Sequence, residues 1–221
     1  MNNKYYNHYN FYDISKEKDF DSSSLTLINH FDTLQQTTEY SCGPRCAEMV
    51  LKHLFKNDKE NPLYNLDEMT ICAMMKSRPY PHGTKLKNMV KFFNKINIKN
   101  EIKITSSIEF KKNKNKFCFS NFEDFRSFVI ENLQKNNPII IENIDYGGHY
   151  KVLIGYDKLS EEGNNDVLIF ADSYDDTDGC QDGYNYFPAQ RFFYMWFDDH
   201  CIGKKYRKQA FVVIEKQKID K

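Results

Sequence analysis

The sequence predicts an α+β fold, and three observations predict it. Apolar residues recur at helical spacing through much of the first two thirds, from Ala47 to Leu133. From Pro138 the pattern changes to short β-branched and aromatic runs, PIIIENI, HYKVLIGYD and VLIFAD, separated by polar turns. Helices followed by strands is the order of an α+β protein, not of alternating βαβ units. At 221 residues the chain reads as one domain with an extension.

In chain order, residues 1–24 are rich in Asn, Tyr, Lys and Ser, without a period, and read as a loosely ordered extension. Residues 25–221 read as the folded domain. LTLINHF, at 25–31, alternates weakly and is read as a strand. In QQTTEYSCGPRCAEMVLKHL, from Gln35 to Leu54, Ala47, Val50, Leu51 and Leu54 share one helical face. That helix is predicted to begin at Cys42, and Pro44 suits its first turn, where an N–H has no intrahelical partner. After the polar loop KNDKENP, a second helix is expected from Leu66 to Lys76, with Asp67 or Asn65 near its cap. RPYPHG, from Arg78 to Gly83, is a rigid turn, either a groove wall or a plain connection. Thr84 is expected to cap a third helix with Leu86, Met89, Val90 and Phe93 inward. EIKIT, from Glu101, reads as a strand and KKNKNK as a solvated loop. Phe122 to Lys135 is a further helix with Phe125, Phe128, Val129 and Leu133 inward, ended by NNP. Beyond the three strands, PAQRFFYMWFD reads as a helix and QAFVVIEK as a closing strand.

Composition excludes several classes. Thirty-one basic residues balance 31 acidic ones, so there is no basic field for nucleic acid. No run approaches the ~18 apolar residues of a membrane span. MNNKYYNHYNFYD lacks the apolar stretch of a secretory signal, so a cytoplasmic protein is expected. The six cysteines are irregularly spaced, and on that reading they are mostly reduced thiols. Cys42 and Cys46 lie one helical turn apart, but no second pair has metal-like spacing, so neither metal nor cofactor is expected. The acidic stretch 172–182 lacks the spacing of a calcium loop and reads as a turn.

The chemistry centres on Cys42. A helix N-terminus carries unpaired N–H groups and partial positive charge, which favour the thiolate, the nucleophilic form. Such a nucleophile needs a base, and the base an orienting acceptor. His149 opens a strand directly after Gly147 and Gly148, whose bare backbone suits a substrate chain lying close. If strands 149–157 and 167–171 form an antiparallel hairpin, Asp172 reaches the same sheet edge as His149. Asp175 and Asp176 are the alternatives. Gln36, six residues before Cys42, can offer a side-chain amide beside the Cys42 N–H for a developing oxyanion. Each residue alone is more often structural: a helix cysteine packs, a strand histidine is satisfied, a glutamine before a helix does nothing. The ordered set is the specific signal.

That set resembles the papain-like cysteine peptidases and, more narrowly, the double-glycine leader peptidase family. The resemblance lies in Gln36, in CGPRC beginning at Cys42, in GGHYKVLIGYD with His149, and in IFADSYDD with Asp172. It covers roughly residues 31–190. Family members often carry Asp-Pro at the last motif, whereas Ser173 follows Asp172 here. The resemblance implies a helical half carrying the cysteine helix, packed on an antiparallel sheet carrying His and Asp. It implies a Cys42–His149–Asp172 triad with Gln36 as oxyanion donor, Gly147 and Gly148 beside the substrate, and a peptide or protein as substrate. An acyltransferase using the same acyl-enzyme and a non-catalytic peptide-binding module are the other readings.

Overall fold

The computed structural model describes residues 24–79, 82–99, 101–110, 117–143, 145–176, 181–197 and 208–217. The expected extension therefore lies almost wholly outside the described residues, and the KKNKNK loop wholly so. Helix α1 (Cys42–Leu54) starts at the expected residue. Its buried residues include Cys42, Cys46, Ala47, Val50, Leu51 and Leu54, so it runs through the protein rather than over it. Helix α2 (Glu68–Met75) is capped by Asp67, whose carboxylate accepts from the Thr70 N–H at 2.9 Å. Helix α3 (Leu86–Ile96) has the predicted stripe, with Phe92 and Ile96 added to it and Val90 half-buried.

Thr84 does not cap α3. Lys85 occupies that position without a side-chain bond, while Thr84 Oγ1 shares a hydrogen bond with Ser77 Oγ at 2.7 Å. The turn instead abuts α1. A Cβ at Gly43 would lie 2.9 Å from the Thr84 side chain, so glycine lets the start of α1 approach it.

The strands are β1 (Leu25–Leu27), β2 (Ile102–Ser106), β3 (Ile139–Asn143), β4 (His149–Asp157), β5 (Val167–Ala171), β6 (Tyr184–Pro188) and β7 (Ala210–Lys216). They form one antiparallel sheet in the order β2-β7-β3-β4-β5-β6, with β1 on the far half of β4. β4 is buried along its whole length, which fits a strand paired on both edges. The expected hairpin of β4 and β5 is present, running from Asp157 opposite Val167 to Val152 opposite Ala171, with a bulge between Leu153 and Gly155. β6, the short helix α4 (Ser107–Phe110) and a 3-10 turn at Asp145–Gly147 complete the path and were not expected.

Helix α5 (Phe122–Gln134) and helix α6 (Ala189–Met195) meet in an aromatic layer. Phe125 stacks on Phe193 at 5.5 Å, and Trp196 lies 5.5 Å from both Phe125 and Phe192. The Trp196 indole donates to the Glu142 carbonyl at 2.9 Å, joining that layer to β3. Phe192, Phe193 and Trp196 of the FFYMW segment are thus core, while Tyr194 and Met195 are exposed. At the other end of the molecule, Lys216 of β7 donates to the Leu54 carbonyl at 2.6 Å, satisfying the C-terminus of α1.

Candidate active site

Cys42 is the first residue of α1, after Ser41. Ser41 is fully buried, and its hydroxyl bonds the Thr38 carbonyl at 3.0 Å and accepts from the Thr38 hydroxyl at 2.8 Å. The loop before the helix is fixed a second time from outside. Thr37 gives its N–H and hydroxyl to Glu68 at 3.0 and 2.7 Å, and Glu68 pairs with Arg45 of the CGPRC string. Arg45 also pairs with Glu48 at 2.6 Å. The string therefore does more than start a helix: its arginine ties α1 to α2 and, through Glu68, to the loop carrying Gln36.

His149 opens β4 after Gly147 and Gly148, both at positive φ (79° and 116°), a conformation that glycine adopts without strain. The imidazole and the Cys42 thiol are within hydrogen-bonding reach. Its Nε2 lies 2.6 Å from Asp172 Oδ1, so Nδ1 is the nitrogen left for sulfur. Burial opposes the charge on both groups. The partners overcome it. Hydrogen bonds to Asp172 and Cys42, and their charges, raise His149 to about 9. The His149 hydrogen bond and charge, with the Tyr150 and Gly43 backbone, bring Cys42 below the usual thiol range. Cys46, one turn along the same helix, goes the other way, pushed up by burial and then by the charges of Cys42 and Asp172. Its thiol donates to the Tyr150 carbonyl at 3.2 Å. The two thiols are thus shifted in opposite directions.

Asp172 follows β5, is fully buried, and has both oxygens occupied. Oδ1 takes His149 and the Tyr174 N–H at 2.9 Å; Oδ2 takes Asn185 Nδ2 at 2.7 Å and Lys151 Nζ at 3.2 Å. Burial works against its charge, but these donors hold it well below the ordinary carboxylate range. Asp175 accepts from the Gly183 N–H at 2.9 Å and Asp176 is exposed, so among the three carboxylates Asp172 is the one on His149. Tyr174 sets its ring edge-on to His149, with centroids 6.5 Å apart.

Gln36 lies against this cluster. Its N–H donates to the Ser173 carbonyl at 2.9 Å, and the Ser173 hydroxyl donates to Gln36 Oε1 at 2.9 Å. Nε2 donates to the Thr38 carbonyl at 2.9 Å. A carbonyl only accepts, so this pattern fixes which end of the amide is nitrogen. One of the two amide protons goes to Thr38. A cavity of about 300 Å3, lined by Gln35, Tyr174, Asp175, Asp176 and Gln181, opens beside this loop.

The sequence did not single out Lys151, Asn185 or the Arg45–Glu68 pair, and it marked Ser173 only as the residue after Asp172. Lys151 had a visible signal, a lysine inside an apolar strand two residues after His149 and hence on its face. Asn185 had none, because its strand was not recognised. Among the described residues no group of three or more His, Cys, Asp or Glu side chains is arranged to hold a metal ion. The described cysteines Cys42, Cys46 and Cys72 are not in disulfides. Among the described residues no helix is long and apolar enough to cross a membrane.

The fold and cluster are those of a cysteine peptidase-like protein: a buried cysteine helix packed on an antiparallel sheet in the papain-like α+β manner. A family model described as Peptidase_C39 like family matches residues 28–196, and the chain belongs to that family. Among solved structures, it is similar to the peptidase domain of Streptococcus ComA, described as a bi-functional ABC transporter involved in a quorum sensing pathway. The identity is 16%, the TM-score 0.48, and the match covers 85% of this chain and 100% of that one. No curated protein matches the sequence.

Proposed function

We propose that this protein is a thiol peptidase in which Cys42, His149 and Asp172 form the catalytic triad and Gln36 serves the oxyanion. The observation that carries the reading is the Cys42–His149–Asp172 chain of contacts, with Nε2 of the histidine 2.6 Å from the carboxylate. In the reactive form of the site the proton sits on His149 and the sulfur is a thiolate. Sulfur attacks the carbonyl carbon of a peptide bond, a C–S bond forms, and the carbonyl electron pair moves onto oxygen. The Cys42 N–H, one of the donors a helix start leaves unpaired, and the second Gln36 amide proton stabilise that oxyanion. His149 passes its proton to the nitrogen as the C–N bond breaks, and the amine leaves. Water then loses a proton to His149 and attacks the thioester, and the Cys42 thiolate departs.

Asp172 keeps the imidazole oriented and supports its positive charge, as the third member of such triads does. Gly147 and Gly148 leave room for an extended substrate backbone beside His149. The substrate is a peptide or protein. A thiol required as a thiolate fits a reducing compartment such as a cytoplasm.

The test compares wild type with Cys42→Ala on a peptide library read by mass spectrometry. The variant is expected to lose turnover by at least 10³-fold, the scale of removing a nucleophile. Equal turnover by both proteins overturns the reading.

A further inference from the structure

The cluster contains a charge that the mechanism above does not use. Lys151 is 5% exposed, and its ammonium lies 2.9 Å from Asp145 Oδ2 and 3.2 Å from Asp172 Oδ2. Burying an ammonium is costly, and lysines are almost never fully buried unless paired. Packing does not explain its presence, since a methionine would fill the same strand position without that cost. Hydrogen bonding does not explain it either, because Asp172 already accepts from His149, Tyr174 and Asn185. What Lys151 adds, and those three donors do not, is an ammonium one carboxylate away from the imidazole.

Among the described residues, few charged and titratable groups surround it. From α1 come Cys42 and Cys46, from its own strand His149, from the end of β5 Asp172, and from the 3-10 turn Asp145. Glu142 of β3 pairs with Tyr150 in the register, so strand alternation turns it to the other side of the sheet. Asp145 also accepts from Asn143 Nδ2 at 3.0 Å and is partly open to solvent, so the row runs Asp145, Lys151, Asp172, His149, Cys42 with charges alternating along it.

We propose that Lys151 is a positioning residue that sets the pH window of the Cys42–His149 pair, with Asp145 as its counter-charge. The inference rests on the peptidase reading above. Its signs are fixed by electrostatics. A positive charge favours the thiolate and disfavours the imidazolium, so it holds both ionisations lower than they would otherwise be. Removing Lys151 moves both upward. Removing the charge of Asp145 moves both downward. A disturbance of packing has no reason to produce parallel shifts of opposite sign in two such variants.

The probe is iodoacetamide, and the readout is the alkylation rate of the Cys42 peptide against pH, measured by mass spectrometry. It requires no known substrate. Wild type is expected to show two steps, one as the ion pair forms and one as the imidazolium loses its proton. In Lys151→Met both steps rise by about one pH unit, the size expected of one charge several Å away at intermediate dielectric. In Asp145→Asn, at a more open position, both fall by roughly half as much, because solvent screens that charge more. The second variant also tests the proposal should the first fail to fold, which thermal melting reports. Unmoved steps in either folded variant, or steps that shift in opposite directions, overturn the role of Lys151. Failure of the peptidase reading would be seen separately, in wild-type Cys42 alkylating at pH 7 no faster than an ordinary thiol.

Discussion

Ser173 follows Asp172, and its hydroxyl is put to use. That hydroxyl donates to Gln36 Oε1 while the Ser173 carbonyl accepts from the Gln36 N–H, so one residue holds the glutamine by both ends. On the proposed mechanism, Gln36→Ala lowers kcat by about 10²-fold, the scale of one oxyanion donor. Ser173→Ala leaves the donor present but unaimed, and about a tenfold loss in kcat with little change in KM is expected. The double variant should be no slower than Gln36→Ala alone, because both losses pass through one amide. Steady-state kinetics of the three proteins decide it, and additive losses would show that Ser173 acts elsewhere. Cys42, His149 and Asp172 were visible in the sequence because a helix start, a glycine pair and a strand end mark them locally. Ser173 and Asn185 were not, since what distinguishes them is a partner 137 and 13 residues away.

At the level of elements, α1 carries a second histidine with the opposite electrostatics. His53 is 5% exposed, bonds Asn136 Oδ1 at 3.3 Å and lies 5.0 Å from the Phe31 ring. Burial, and then Lys56, hold it down to about 4, only partly offset by Asn136, His30 and Asp32. The unfolded chain takes up this proton near pH 6.5, the folded one only near 4, so stability falls as pH drops through that interval. The loss is about 3 kcal/mol once pH reaches 4. Urea unfolding at pH 7 and pH 4.5 should show a steeper fall in wild type than in His53→Gln; identical slopes would refute the assignment. Elements with strong periodicity, α1, α3 and α5, were legible within a residue or two at their starts. β6, YNYFP, was not. It alternates weakly, ends in proline and pairs with a single neighbour, so its local signal was that of a turn. Thr84 looked like a cap by residue type, but its hydroxyl is spent on Ser77.

Taken as a whole, the molecule has a sheet whose order could not be read from the chain. Hydrophobic patterning tells which segments are strands and says little about which strands pair over 100 residues of separation. The clearest case is β7. It is the last of the described strands in sequence, yet it lies between β2 and β3 and bonds to both. A chain ending at Gln209 should therefore lose its cooperative melting transition by circular dichroism, and Cys42 should alkylate like an ordinary thiol. Retention of a sharp transition would show that β7 is dispensable. This placement also bears on synthesis. Cys42, His149 and Asp172 all precede the strand that joins β2 to β3. On the proposed mechanism, a nascent polypeptide that has not yet reached Ala210 therefore carries every reactive group of a protease and none of its competence, which waits on β7.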